Sequence, residues 1–246
     1  MEIKVMTYNI HHCRGTDNRV DVDRIAQLIS RSDSDIVGLN EVDKQFSRRS
    51  AYKDQIEWLA KQLNMEQAFS PSLSIKSSRT TSLRQFGNAI LSRYPIVTRT
   101  SQPFDFLSGF MEGRSLLNTA IQINKKLVQF SVTHFSLNPF LHRLQTNFVL
   151  NELNRSPYPT ILMGDFNMTP RSKGWRKITS QFQDVWQMAG NGKGYTYPAF
   201  RPSLRLDYIF ASPSLGITNA KVVTHTPKAS DHLPLQATLF FNKKGS

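Results

Sequence analysis

Ile161-Leu162-Met163-Gly164-Asp165-Phe166-Asn167 is the stretch on which the reading of this chain turns. Its unbroken apolar start fits a strand buried on both faces, as in the interior of an α/β sheet. The run stops at Gly164, and a carboxylate and a carboxamide follow at Asp165 and Asn167. Alone, Gly-Asp-Phe-Asn is an ordinary turn with a helix cap. Other apolar runs stop the same way, however. Met6-Thr7-Tyr8 runs into Asn9, Ile36-Val37-Gly38-Leu39-Asn40 into Glu41, and Val132-Thr133 into His134. Buried strands that each end in a metal-competent residue would gather those residues along one sheet edge, in one pocket.

The organisation around this pattern is simple. The chain has 246 residues, enough to bury a sizeable core, and 39% apolar with 20% charged residues is the composition of a globular protein. No repeat and no Pro/Gly-rich linker divides it, so a single domain over 1–246 is expected. Strands are expected at 4–9, 35–40, 88–92, 115–123, 127–134, 159–164, 206–211 and 233–241. Val22, Ile25, Ala26 and Ile29 share a helical face, as do Ile56, Leu59, Ala60 and Leu63, and Leu141, Leu144 and Phe148 mark a third helix. Alternating strands and helices imply an α/β fold.

Several segments read as loops. Residues 70–86 are rich in Ser, Thr and Arg without an acid, and 101–113 carry Phe104, Phe106, Leu107, Phe110 and Met111. Arg171, Lys173, Arg176 and Lys177 surround Gly174 and Trp175, and Tyr195, Tyr197, Phe200 and Arg201 mix aromatics with a base. Basic loops with aromatics suit nucleic acid, through phosphate contacts and base stacking. The balance of 31 basic against 18 acidic residues gives +13, a field that draws polyanions. No run approaches the roughly 18 apolar residues of a membrane span. Cys13 is the only cysteine, so an internal disulfide is excluded. With no signal-peptide layout at the N-terminus, the expected location is cytoplasmic. Nothing calls for an obligate protein partner.

Six segments carry the chemistry: Tyr8-Asn9-Ile10, Asn40-Glu41-Val42, Thr133-His134-Phe135, Gly164-Asp165-Phe166-Asn167, Arg205-Leu206-Asp207-Tyr208 and Ser230-Asp231-His232-Leu233-Pro234. In this order they resemble the superfamily of DNase I, exonuclease III, the inositol polyphosphate 5-phosphatases and the neutral sphingomyelinases. Gly87-Asn88-Ala89-Ile90-Leu91-Ser92 and Gly113-Arg114-Ser115 are similar to its connecting motifs. The resemblance implies a four-layer α/β/β/α sandwich, two packed mixed sheets flanked by helices. His134 stands where apurinic-site endonucleases of the superfamily carry tyrosine. The glutamate that supports this histidine in DNase I has no counterpart near Arg84-Gln85-Phe86.

Phosphoester chemistry gives these residues roles. A phosphodiester is anionic and repels hydroxide, so hydrolysis needs a Lewis acid and an activated in-line water. Glu41 with Asn9 suits Mg²⁺, or Mn²⁺ in its place, and Asp231 offers a second carboxylate. Asp165 would orient or deprotonate the water, and Asn167 would fix it or a phosphate oxygen. His232, held by Asp207, would bond the phosphoryl group, with His134 and Arg114 stabilising its spreading charge. Arg171, Lys173, Trp175 and Arg176 are the expected substrate contacts. His11 and His12 are adjacent, and on a strand they would point to opposite faces. Nucleic acid is the expected substrate, with an anionic membrane surface as the alternative. Small phosphate esters and a non-catalytic polyanion-binding module complete the set.

Overall fold

The computed structural model describes residues 2–76, 83–104 and 113–241. Its elements are β1 (Glu2–Asn9), α1 (Val22–Ser32), β2 (Ile36–Lys44), α2 (Gln55–Leu63), β3 (Glu66–Lys76), β4 (Leu83–Ser92), β5 (Ile96–Pro103), β6 (Ser115–Ile123), β7 (Lys126–His134), α3 (Pro139–Leu153), β8 (Thr160–Asp165), α4 (Lys173–Thr179), β9 (Gln183–Asp184), α5 (Val185–Ala189), β10 (Asp207–Ala211), β11 (Leu215–Val222) and β12 (Leu235–Phe241). Two six-stranded mixed sheets form, in the orders β11-β12-β1-β2-β4-β3 and β5-β6-β7-β8-β10-β9.

The layering follows from strands that are apolar on both faces. In β1, Ile3 and Val5 face the other sheet, while Met6 and Tyr8 face α1 and α2. In β8, Ile161 and Met163 join the intersheet core, and Leu162 turns to the opposite cluster with Phe135, Val149, Leu150 and Phe210. Each such side chain contributes about 1.5–3 kcal/mol when fully buried. The result is the expected α/β/β/α sandwich.

The interior of each sheet holds a parallel pair. β1 lies parallel to β2 with Asn9 opposite Asn40, and β7 parallel to β8 with His134 opposite Asp165. The chain-end residues of these four strands therefore emerge on one rim. Gly164 makes the second pair possible: its φ is +149°, and a Cβ there would lie 1.9 Å from the Thr133 carbonyl oxygen. Gly164→Ala should lower stability by on the order of 3 kcal/mol, read as a lower urea midpoint; an unchanged midpoint would refute this packing account.

Three segments expected as loops are built otherwise. Residues 70–76 continue β3 and 83–86 begin β4, with 77–82 outside the described residues. Residues 101–103 end β5, and Phe104 packs on Phe148 and Phe135 at centroid distances of 5.5 and 6.5 Å. Phe106, Leu107, Phe110 and Met111 lie outside the described residues. Residues 173–177 form most of α4, capped by the Ser172 side chain on the Trp175 N–H.

Candidate active site

Glu41 reaches the rim through a local irregularity in β2. The register against β4 shifts between Leu39 and Val42, and Glu41 itself adopts φ +59°. A bulge of this kind bends a strand and re-aims a side chain. Asn9 links the two sheets: its Nδ2 donates to Glu41 Oε1 at 3.0 Å and to Asp165 Oδ2 at 3.1 Å. Its Oδ1 accepts the His11 N–H at 3.0 Å, so Asn9 acts here chiefly by positioning the two carboxylates.

Beneath the rim lies a clamp that sequence reading did not assign. Asn40 is fully buried; its Nδ2 donates to Thr133 O at 2.9 Å and to Asn88 Oδ1 at 2.8 Å. Its Oδ1 accepts the Asp165 N–H at 2.8 Å, and Asn88 donates on to Ser115 O at 2.9 Å. One carboxamide thus fixes β2 against β7 and β8 directly under Asp165. The only hint was that a carboxamide ended a fully apolar run.

Both imidazoles converge on Asp165 Oδ2, with His134 Nε2 at 3.4 Å and His232 Nε2 at 3.6 Å. Their electrostatics differ. His232 Nδ1 lies 2.8 Å from Asp207 Oδ2. Burial alone disfavours its charge, but Asp207, then Asp165 and Asp231, outweigh burial and raise its pKa to about 10. The ring is therefore an imidazolium at neutral pH, with Tyr197 packed on it at a centroid distance of 4.8 Å.

His134 is the opposite case. Burial, then Arg114 and His232, hold its pKa well below the usual value, so it is neutral. Arg114 Nη1 lies 2.8 Å from His134 Nδ1. A guanidinium can only donate, so Nδ1 is the acceptor and the proton sits on Nε2. An arginine thus occupies the supporting place that a glutamate fills in DNase I-like proteins. Arg114 acts on the site through His134. Asn167 Nδ2 donates to Phe135 O at 2.9 Å on this side of the ring.

Asp165 is pushed up to about 6, chiefly by burial, with Asp207 adding to it and His232 opposing it. A base must be ionised and the imidazolium must keep its proton. Turnover should therefore rise as pH passes about 6 and fall as it passes about 10. The imidazolium also stabilises the fold: that contribution is complete below the ordinary pKa of 6.5 and is lost as pH rises through about 10. A flat pH–rate profile between 5 and 7 would contradict the role of Asp165.

Asp231 has its Oδ1 3.5 Å from His11 Nδ1 and accepts from Ser230 Oγ at 3.2 Å. His11 and His12 are not on a strand. They form a short 3₁₀ turn with φ of +46° and +44°, so adjacency does not send their rings to opposite faces.

The basic segment divides. Lys173 and Lys177 border a groove of about 780 Å³ between α3 and α4, which begins at Asn167. Arg171, Trp175 and Arg176 are not among its lining residues. Trp175 is committed elsewhere: its Nε1 donates to Asp184 Oδ2 at 2.8 Å, and the ring packs against the α3 side of the core. Its ring is half-buried. Leu137, Phe140 and Arg143, which sequence reading left out, line the groove.

Carboxylates, carboxamides and imidazoles gather at the ends of paired parallel strands, the group types that metal-assisted phosphoester chemistry calls for. The chain belongs to the Endonuclease/Exonuclease/phosphatase family, whose model matches residues 6–232. Its fold is similar to that of the endonuclease/exonuclease/phosphatase from Beutenbergia cavernae DSM 12333, with a TM-score of 0.83 at 24% identity, covering 98% of this chain and 72% of that one. Mannosyl-6-phosphatase Bt3783 of Bacteroides thetaiotaomicron VPI-5482 aligns at 0.78 and 19% identity, covering 97% of this chain and all of that one. Truncated TDP2 of Caenorhabditis elegans aligns at 0.71 and 20% identity over 98% of each chain. At these identities the likeness is one of fold. A curated relative, protein YbhP of Escherichia coli strain K12, is 25% identical over 163 residues, 62% of each chain. No helix among the described residues is long and apolar enough to cross a membrane.

Proposed function

We propose that this protein is a divalent-cation-dependent phosphodiesterase acting on nucleic acid. The observation that carries the substrate class is the groove leading away from Asn167. Its walls offer Arg143, Lys173 and Lys177 and no acidic residue. Phe140 is 52% exposed at its edge, a platform on which a base can stack. A phosphodiester held at the imidazoles would send its continuing strand along these cations.

The donor set fits Mg²⁺, the expected ion, or Mn²⁺. Glu41 and Asp231 would hold it, hard oxygens for a hard cation, with Asn9 fixing the Glu41 carboxylate. When bound, the ion supplies Lewis-acid polarisation of a phosphoryl oxygen. The chain's own groups do the rest. Asp165, ionised above about pH 6, accepts the proton of the attacking water. Its Oδ1 accepts the Asn167 N–H at 3.0 Å and its Oδ2 accepts from Asn9 Nδ2 at 3.1 Å, so the carboxylate is fixed through both oxygens. His232 Nε2–H and His134 Nε2–H donate to phosphoryl oxygens, one charged and one neutral. Asp207 Oδ2 accepts from His232 Nδ1–H, and its charge keeps the ring protonated at Nε2 as well.

A second reading has one observation of its own. Leu137 is 74% exposed beside Phe140, an apolar lip that suits a phospholipid. Salt separates the two readings. Replacing Arg143, Lys173 and Lys177 by glutamate should weaken polynucleotide binding, with the slope of log affinity against log salt falling by about 3. A small diester, which ends short of the groove, should keep its turnover. Equal loss on both substrates would count against the groove. Vesicle hydrolysis lost in Leu137→Ser with Phe140→Ser, beside unaffected DNA and RNA cleavage in the glutamate variants, would favour lipid.

A further inference from the structure

We infer that His11 and His12 complete the cation site of Glu41 with two imidazole nitrogens, making it a mixed nitrogen–oxygen centre that prefers a first-row transition ion such as Co²⁺ or Zn²⁺ over Mg²⁺. This rests on the cation-dependent reading above and changes which ion that site selects. A ring nitrogen from each histidine and a carboxylate oxygen of Glu41 lie within 4.8 Å of one another. Three donors at about 2.0–2.2 Å from a common ion stand about 3–4 Å from one another, so the cluster would close by on the order of 1 Å around an ion.

Nδ1 of His11 and Nδ1 of His12 are both buried without a hydrogen-bond partner among the described residues. His12 as a whole is only 6% exposed. Buried polar atoms without partners are uncommon, and an unplaced ion is one of their standard explanations. The rings meet edge to face at a centroid distance of 4.5 Å, a contact that satisfies neither nitrogen.

The backbone around the pair is held from several sides. His11, His12 and Cys13 are consecutive non-glycine residues at φ +46°, +44° and +63°. Asn9 Oδ1 accepts the His11 N–H, and Gln55 Nε2 donates to His12 O at 2.8 Å. Glycine would meet such dihedrals without strain, yet the chain keeps two imidazoles there. Asp231 Oδ1, 3.5 Å from His11 Nδ1, adds an oxygen on the outer side. Imidazole favours Zn²⁺, Co²⁺ and their neighbours, whereas Mg²⁺ seeks oxygen.

The test is metal binding by the full chain, read by calorimetry and by pulsed electron paramagnetic resonance. His11→Leu and His12→Leu keep bulk and remove the nitrogens. Each should weaken Co²⁺ binding on the order of tenfold and leave Mg²⁺ binding within about threefold. Unchanged Co²⁺ affinity, or equal losses for both ions, overturns the inference. The wild-type chain loaded with Mn²⁺ gives a reading free of any folding defect: ¹⁴N couplings from imidazole are expected, and their absence overturns the inference while leaving the cation site of Glu41 standing. A wild-type chain that binds no divalent ion at all would remove the cation-dependent reading itself.

Discussion

Glu41→Gln should reduce kcat/KM on a phosphodiester by a factor on the order of 10² or more, and should weaken divalent-cation binding in parallel. That factor corresponds to about 2.7 kcal/mol of transition-state stabilisation. The substitution keeps the shape of the side chain and the contact that Asn9 Nδ2 makes with Oε1, so the bulge that aims residue 41 should persist. What disappears is the negative charge. A loss that disappears at saturating substrate, with cation affinity intact, would assign Glu41 to substrate binding. Full turnover at limiting cation would contradict its role altogether.

The second large effect belongs to the Asp207–His232 pair. His232→Ala removes the imidazolium that faces the phosphoryl group, and a loss on the order of 10³ is expected. Asp207→Asn leaves the ring but takes away a carboxylate 2.8 Å from Nδ1, one of the charges that raise His232 to about 10. Turnover should therefore fall strongly, and the upper limb of the pH profile should move below 10. Because the two residues act as one unit, the double variant should be little worse than His232→Ala. Additive losses in log kcat would break the pair. An upper limb unmoved in Asp207→Asn would show that Asp207 does not hold the charge.

Much of this arrangement was legible from the residues, and the exceptions have physical causes. The strands that carry Asn9, Glu41 and Asp165 sit inside their sheets and are apolar on both faces, and β7, which carries His134, alternates apolar and polar, so their runs and stopping points could be read directly. β3 and β5 each lie at an edge of a sheet, β3 largely half-buried and β5 largely exposed, which leaves them polar and loop-like in sequence. α4 is a short basic helix that contains Gly174, so composition pointed to a solvated loop while the Ser172 cap made a helix. The turn at His11–Cys13 was hidden because left-handed dihedrals are ordinarily announced by glycine, and here they fall on His, His and Cys. Arg114 was readable as a cation near the phosphate, but not as the partner of His134 Nδ1, because that contact crosses strands and depends on register. The partner of Trp175 was hidden for a related reason: Asp184 is a buried acid that nothing in the local sequence marks as such.

The most direct test of the central claim is cleavage of a labelled single-stranded oligonucleotide, as DNA and as RNA, by the purified chain with divalent cation and with chelator. Cleavage is expected with Mg²⁺, Mn²⁺ or Co²⁺, none with chelator, and none above background for His232→Ala. An intact oligonucleotide under every cation, beside hydrolysis of p-nitrophenyl phosphate or of phospholipid vesicles by the same preparation, would contradict the assignment to nucleic acid.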